Sequence, residues 1–226
     1  MTIKFPQRYK ILKSYEYVDL VDNTGYVTYY LGISNSSSTF FFTTDNTVYS
    51  TNTDYLIAGD LNITTTEAQV GSTQNLDITF NSAVNIKGTL VVSIAAAYYQ
   101  NGAAVRLWRM KVRPYHYDGS TETSLAAQVT LPYTTTSGAG DQKTVVHTST
   151  FSITQKHFKA GEKLRIKVEF YGYETAETAV LSWVSMGADP KNRTTNLTKG
   201  ATSGFDESAS NEITQSSVRI PFKLEV

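Results

Sequence analysis

Between Lys163 and Tyr171 the chain reads KLRIKVEFY, a strict alternation that sets Leu164, Ile166, Val168 and Phe170 on one side and Arg165, Lys167, Glu169 and Tyr171 on the other. Successive side chains of a strand point to opposite faces, so this pattern needs a sheet with one face on a core and the other toward water. An antiparallel sheet satisfies it, because such sheets commonly pack one face and solvate the other. The turn-forming Lys159-Ala160-Gly161 leads directly into the segment.

The rest of the chain repeats the theme. Tyr15 to Leu31 breaks at Asp22-Asn23-Thr24-Gly25 and reads as strand, turn, strand, and Phe40 to Phe42 forms a short apolar run. The Thr-, Asn- and Asp-rich stretch up to Asp60 reads as loop with short strands. Regular patterns return at Leu61 to Thr66, Leu76 to Phe80 and Ile86 to Tyr99. Asn101-Gly102 then signals a hairpin into Val105 to Val112, with a bulge or two-sided burial where Leu107 and Trp108 adjoin. Pro114 marks the end of that strand or a position at a sheet edge, and Asp118-Gly119 forms a second turn. Further strands fall at Leu125 to Leu131, Lys143 to Ile153, Ala179 to Met186 and Val218 to Val226. Helix-friendly composition is confined to Ala95 to Ala97 and Glu174 to Ala179. The expected fold is all-β: an antiparallel sandwich of about eight or more strands. Residues 15–226 read as one domain, preceded by residues 1–14 as a first strand with a basic face or as an arm that docks on a neighbouring subunit.

Composition narrows function. The 226 residues balance 20 basic against 20 acidic side chains, so no overall field draws nucleic acid. With no Cys, disulfides, thiolate metal sites and a thiol nucleophile are excluded. No apolar run resembles a secretory signal or reaches the roughly 20 residues of a membrane span, which points to synthesis in the cytoplasm.

Chemistry-bearing patterns are sparse. His116, His147 and His157 fall on separate predicted elements, without the clustering that zinc needs. The acidic residues from Asp45 to Asp60 and Asp189 follow no calcium-loop spacing; they read as turn residues bonding their own backbone, with a loop calcium as the alternative. Glu174 with Glu177 and Glu207 with Glu212 lie in polar stretches and read as solvated. No nucleophile elbow or phosphate loop is present, and the chain is expected not to be an enzyme. Candidate interface or glycan-stacking residues are Trp108, Tyr115, Tyr117, Tyr171, Tyr173 and Trp183, because Tyr and Trp anchor interfaces and can line ligand surfaces.

Four segments taken together, YEYVDLVDNTGYVTYYLG from Tyr15, ITQKHFKAGEKLRIKVEFYG from Ile153, GADPKNRT from Gly187 and the closing VRIPFKLEV, resemble virion structural proteins of archaeal and bacterial viruses known mostly from environmental genomes. The resemblance implies a jelly-roll-like sandwich located in the virion. It further implies a capsid-decoration or single-jelly-roll shell component assembling with itself, a trimer favoured, and with other capsid proteins. It implies that Asp118-Gly119 closes a hairpin, that Asp189-Pro190 lies in a loop, and no catalytic residue or cofactor. Two alternatives stay open: a carbohydrate-binding surface module that recognises host glycans, and a filament or tube subunit assembling by strand addition.

Overall fold

The computed structural model describes residues 24–34, 39–48, 54–58, 64–176, 182–193 and 213–223. The expectations for residues 1–14, the strand beginning at Tyr15, Leu61 to Ile63, Glu177 and the Glu207 and Glu212 pair lie outside them. Among the described residues thirteen strands form two antiparallel sheets: β1 (Thr24–Ile33), β2 (Phe40–Thr43), β3 (Asp54–Ala58), β4 (Ala68–Thr79), β5 (Val84–Asn101), β6 (Arg106–Tyr117), β7 (Glu122–Ser124), β8 (Val129–Thr130), β9 (Thr134–Thr136), β10 (Ala139–Phe158), β11 (Lys163–Glu174), β12 (Ser182–Gly187) and β13 (Ser217–Lys223).

The pairing is that of one long hairpin, nested and then rolled. Innermost, β6 pairs with the short β7, β8 and β9; next outward β5 pairs with β10, β4 with β11 and β1 with β13. Successive rungs alternate between sheets. The first sheet therefore holds β5, with β10 on one edge and β13 followed by β1 and β2 on the other, while the second runs β4, β11, β6 and then β7 to β9. Rolling a hairpin in this way gives the jelly roll, with its two Greek keys. Two strands lengthen the first sheet: β12 continues the line of β13 along the upper half of β5, and β3 pairs with β12.

The core lies between the sheets. Leu164, Ile166, Val168 and Phe170 of β11 are fully buried, facing Leu90, Val92, Ile94 and Ala96 of β5 together with Val218 and Ile220. Each large apolar side chain taken wholly out of water contributes roughly 1.5–3 kcal/mol, the main term opposing chain entropy. Ala95, Ala96 and Ala97 are all buried, so this part of β5 is covered on both faces. That explains a continuous apolar run with no helix.

Three local expectations are corrected. Asn101-Gly102 does not close a hairpin, because β5 and β6 lie in different sheets and the connection arches between them. Neither residue has the positive φ that a type I′ turn needs. No bulge interrupts β6 against β11; Trp108 points inward and Leu107 outward in simple alternation. Of the two readings of Pro114, the strand end fails, because β6 continues to Tyr117, and the edge position holds. Its carbonyl accepts from Leu125 N at 3.0 Å, so its missing N–H faces the gap between β7 and β8, where no strand requires it. The Asp118-Gly119 hairpin is present: Gly119 has φ +104°, and Asp118 Oδ1 accepts from the Ser120 and Thr121 amides at 2.9 and 2.7 Å. Leu125 to Leu131 contributes only the two-residue β8.

Candidate functional site: the outer face of the second sheet

β6 and β11 pair without a register shift from Lys163 opposite Tyr117 to Glu174 opposite Arg106. Alternation therefore stacks their outward residues into two adjacent columns, in which Lys163 faces Tyr117, Arg165 faces Tyr115, Lys167 faces Arg113, Glu169 faces Lys111 and Tyr171 faces Arg109. Every one of these side chains is half-buried. Cations lie over the tyrosine rings: Lys111 Nζ is 3.4 Å from the Tyr171 centroid, Arg165 4.0 Å from Tyr117, and Lys167 and Arg113 4.9 and 5.3 Å from Tyr115. Such contacts are worth roughly 0.5–1 kcal/mol each at partly exposed sites.

Carboxylates lock the cations in place. Arg165 donates to both oxygens of Asp77 on β4 at 2.6 and 2.7 Å and to Glu122 of β7 at 2.6 Å, so one guanidinium ties three strands together. Lys167 also pairs with Glu122, and Arg109 with Glu67. Burial alone would raise the Asp77 and Glu67 carboxyls, but hydrogen bonds from Arg165 and Lys163 in one case and Arg109 and Tyr133 in the other hold both below their usual range. Glu122 is lowered by Lys167 and Arg165, and burial, followed by Glu169, pushes the Tyr171 phenol up. Tyr173 meets Tyr133 edge-on at 5.4 Å, and Tyr133 Oη donates to Glu67 at 2.8 Å. The result is a preordered plane of aromatic and cationic groups.

Four of the six candidate residues, Tyr115, Tyr117, Tyr171 and Tyr173, come together on this plane. The tryptophans do not. Trp108 is fully buried, stacked 5.5 Å from Tyr98 with its Nε1 donating to Thr136 Oγ1 at 2.9 Å, and Trp183 is buried against Tyr99 at 5.1 Å. Neither presents a ring to a ligand. Arg109, Lys111, Arg113 and Tyr133 join the plane unforeseen, although the alternation of β6 itself puts the first three on one side.

Other predicted chemistry is dispersed. His116 Nε2 meets Glu162 Oε2 at 2.7 Å, His157 meets Asn85, and His147 meets Tyr98; His147 and His157 share β10 and do not fall on separate elements. Among the described residues no three His, Asp or Glu side chains gather as metal ligands. Asp45 Oδ1 accepts from the Thr47 amide at 2.9 Å, the turn role expected of it. Glu174 is not solvated: it is buried, accepting from Arg106 Nε at 3.1 Å and Nη2 at 3.0 Å, and Arg106 also reaches Ser182. Asp189, likewise buried, accepts from the Arg193 amide at 2.6 Å and guanidinium at 3.0 Å. Thr214 Oγ1 donates to the same carboxylate oxygen at 3.4 Å, while Asn192 Oδ1 accepts from the Thr214 and Gln215 amides. These bonds pinch residues 189–193 to 214–215.

No family model matches the chain, and no curated protein matches it in sequence. Solved structures similar to it include a CocE/NonD family hydrolase from Staphylococcus aureus, with TM-score 0.44 and 10% identity over 88% of this chain and 37% of that one. Eiger TNF from S. frugiperda aligns with TM-score 0.32 and 11% identity over 88% of this chain and 93% of that one. Infectious bursal disease virus, Gx strain, aligns with TM-score 0.20 and 9% identity over 86% and 42%. The chain thus spans about two fifths of the hydrolase chain. Similarities this weak carry no weight for function.

Proposed function

We propose that this chain is a structural subunit of a virion, a capsid-decoration or single-jelly-roll shell component, acting by assembly with further copies of itself and with other capsid proteins and not by catalysis. The resemblance of its sequence motifs supports the virion setting. The outer face of β6 and β11 carries the assembly reading. Tyr and Arg are enriched in the energetic centres of protein interfaces, and here they are held in place before any partner arrives, which removes part of the ordering cost of association. The same geometry disfavours sugar stacking, since Tyr115, Tyr117 and Tyr171 already carry cations of their own chain over their rings.

The purified chain is expected to associate as its concentration rises, and negative-stain micrographs to show ordered rings, plates or shells. Tyr115→Ala with Tyr171→Ala should weaken association at least about tenfold, read by sedimentation velocity, with the thermal midpoint measured in parallel to separate unfolding from lost contact. A wild-type chain that stays monomeric at every concentration, or a double variant that associates unchanged, would remove this reading.

A further inference from the structure

Among the described residues, the longest strand of the first sheet is paired on one side alone. β10 pairs with β5 along Ala139–Phe158, and β5 gives its other edge to β13 and β12. Among the described residues no backbone hydrogen bond is made by the far edge of β10 between Lys143 and Lys156. That edge is a row of N–H and C=O groups of the kind to which another strand adds.

The edge is also unguarded. Pairing with β5 runs without a register shift from Gln142 to Ile153, and irregularities occur only at the two ends. From Thr144 to Gln155 there is no Asp, Glu, Lys, Arg or Pro. Twelve such residues extend roughly 40 Å at the usual rise of a strand. The other edges among the described residues carry the usual protections. β4 bulges at Gly71, where φ is +69°, and bears Asp77; β2 and β3 have four and five residues, and β7, β8 and β9 no more than three.

We propose that this edge pairs with the same edge of a second copy, antiparallel about a two-fold axis, so that the first sheets of two subunits become one continuous sheet. The contact rests on the assembly reading insofar as it takes a second copy, but it uses a different surface. A self-pairing strand places each residue opposite one from its own sequence, and opposite residues share a face. Thr148, Thr150 and Ser152 are exposed on the outer face, while His147, Ser149 and Phe151 are buried on the inner one. An axis beside Thr148, Ser149 or Thr150 thus sets hydroxyl against hydroxyl and keeps Lys143 and Lys156 from facing each other. Thr–Thr and Thr–Ser pairs are favourable across strands, and the missing charges remove the repulsion that ordinarily prevents such pairing.

The absence of Cys makes cross-linking a clean test. In the full-length chain, Thr148→Cys, Thr150→Cys or an equal mixture of the two should give a covalent dimer under mild oxidant, and which of the three does so reports the register. Thr148→Lys with Thr150→Lys places like charges across the axis and should raise the dissociation constant of this contact at least about tenfold without lowering the thermal midpoint. If wild type associates but the lysine variant associates equally well, this proposal falls while the tyrosine face stands. If wild type is monomeric throughout, both fall. If amides of residues 148–152 gain hydrogen-exchange protection on association but no cysteine variant cross-links, some other strand occupies the edge and the proposal is overturned.

Discussion

His147 shows what burial does to one titrating group. It lies on the inner face of β10, with Nε2 2.7 Å from Tyr98 Oη, and desolvation lowers its pKa from the usual 6.5 to about 4. Burial also raises the Tyr98 phenol, which keeps its proton and can donate it to the neutral imidazole. Unfolded, the same imidazole binds a proton near pH 6.5, so between about 6.5 and 4 the unfolded state holds more protons than the folded one. The stability linked to this histidine is therefore full above pH 6.5 and falls as pH drops through that window, by on the order of 3 kcal/mol in all. Urea titrations at pH 7, 5.5 and 4 should show His147→Gln losing less stability on acidification than wild type. Lowered carboxylates such as Asp118, pushed down to about 2, affect both proteins equally and cancel in the difference. Parallel pH profiles would refute the assignment.

At the scale of elements, the junction of β12 and β13 is where, among the described residues, backbone packs on backbone most closely around a glycine. The two strands lie end to end along β5, and Ser216 fills the break: its Oγ accepts from Ala95 N at 3.0 Å and donates to Gly187 O at 2.7 Å. A Cβ on Gly187 would fall 2.5 Å from Thr214 O and 3.0 Å from the Ala95 Cβ. The first obstacle is backbone pinned by the Asp189 and Asn192 bonds, so it yields only at a cost. Gly187→Ala should therefore cost about 1–3 kcal/mol in chemical denaturation, the usual penalty of overpacking; a variant as stable as wild type would mean that the pinch gives way.

The sequence disclosed such elements unevenly, for a physical reason. The Lys163 to Tyr171 alternation announced β11 because both of its faces are specified by its own residues. Asn101-Gly102 misled because membership of a sheet is decided by partners far away, β10 and β13 for β5 and β11 for β6, and a local turn signal has no access to that choice. The tyrosines of the outer face could be named in advance, yet their cations could not be assigned without the register that sets Lys111 beside Tyr171. Glu174 looked solvated because its neighbours in sequence are polar, whereas its partner Arg106 is 68 positions away.

In the whole molecule, the first and last described strands are neighbours. β13 lies between β1 and β5, pairing with β1 from Ser217 to Lys223 and burying Val218 and Ile220 completely. Without it, β1 keeps its short pairing with β2 but loses its connection to the rest of the sheet, and the lower half of β5 becomes an open edge. A chain ending at Ser216 should therefore lack a cooperative thermal transition and bind a hydrophobic dye, since the first sheet closes only when its last strand arrives. A sharp, near-native melt would mean that β1 pairs directly with β5.

The pinch between residues 189–193 and 214–215 also separates two jobs along the chain. The chain leaving β12 and the chain entering β13 are clamped to each other by Asp189, Asn192, Arg193 and Thr214, so the end-to-end placement of the two strands is fixed by bonds made locally. Closing a longer loop costs little more than closing a short one. A change in the length or sequence of residues 194–212 is therefore expected to leave the register of β12 and β13 on β5 unaltered, read as an unchanged thermal midpoint. A foreign peptide inserted there should cost the scaffold little.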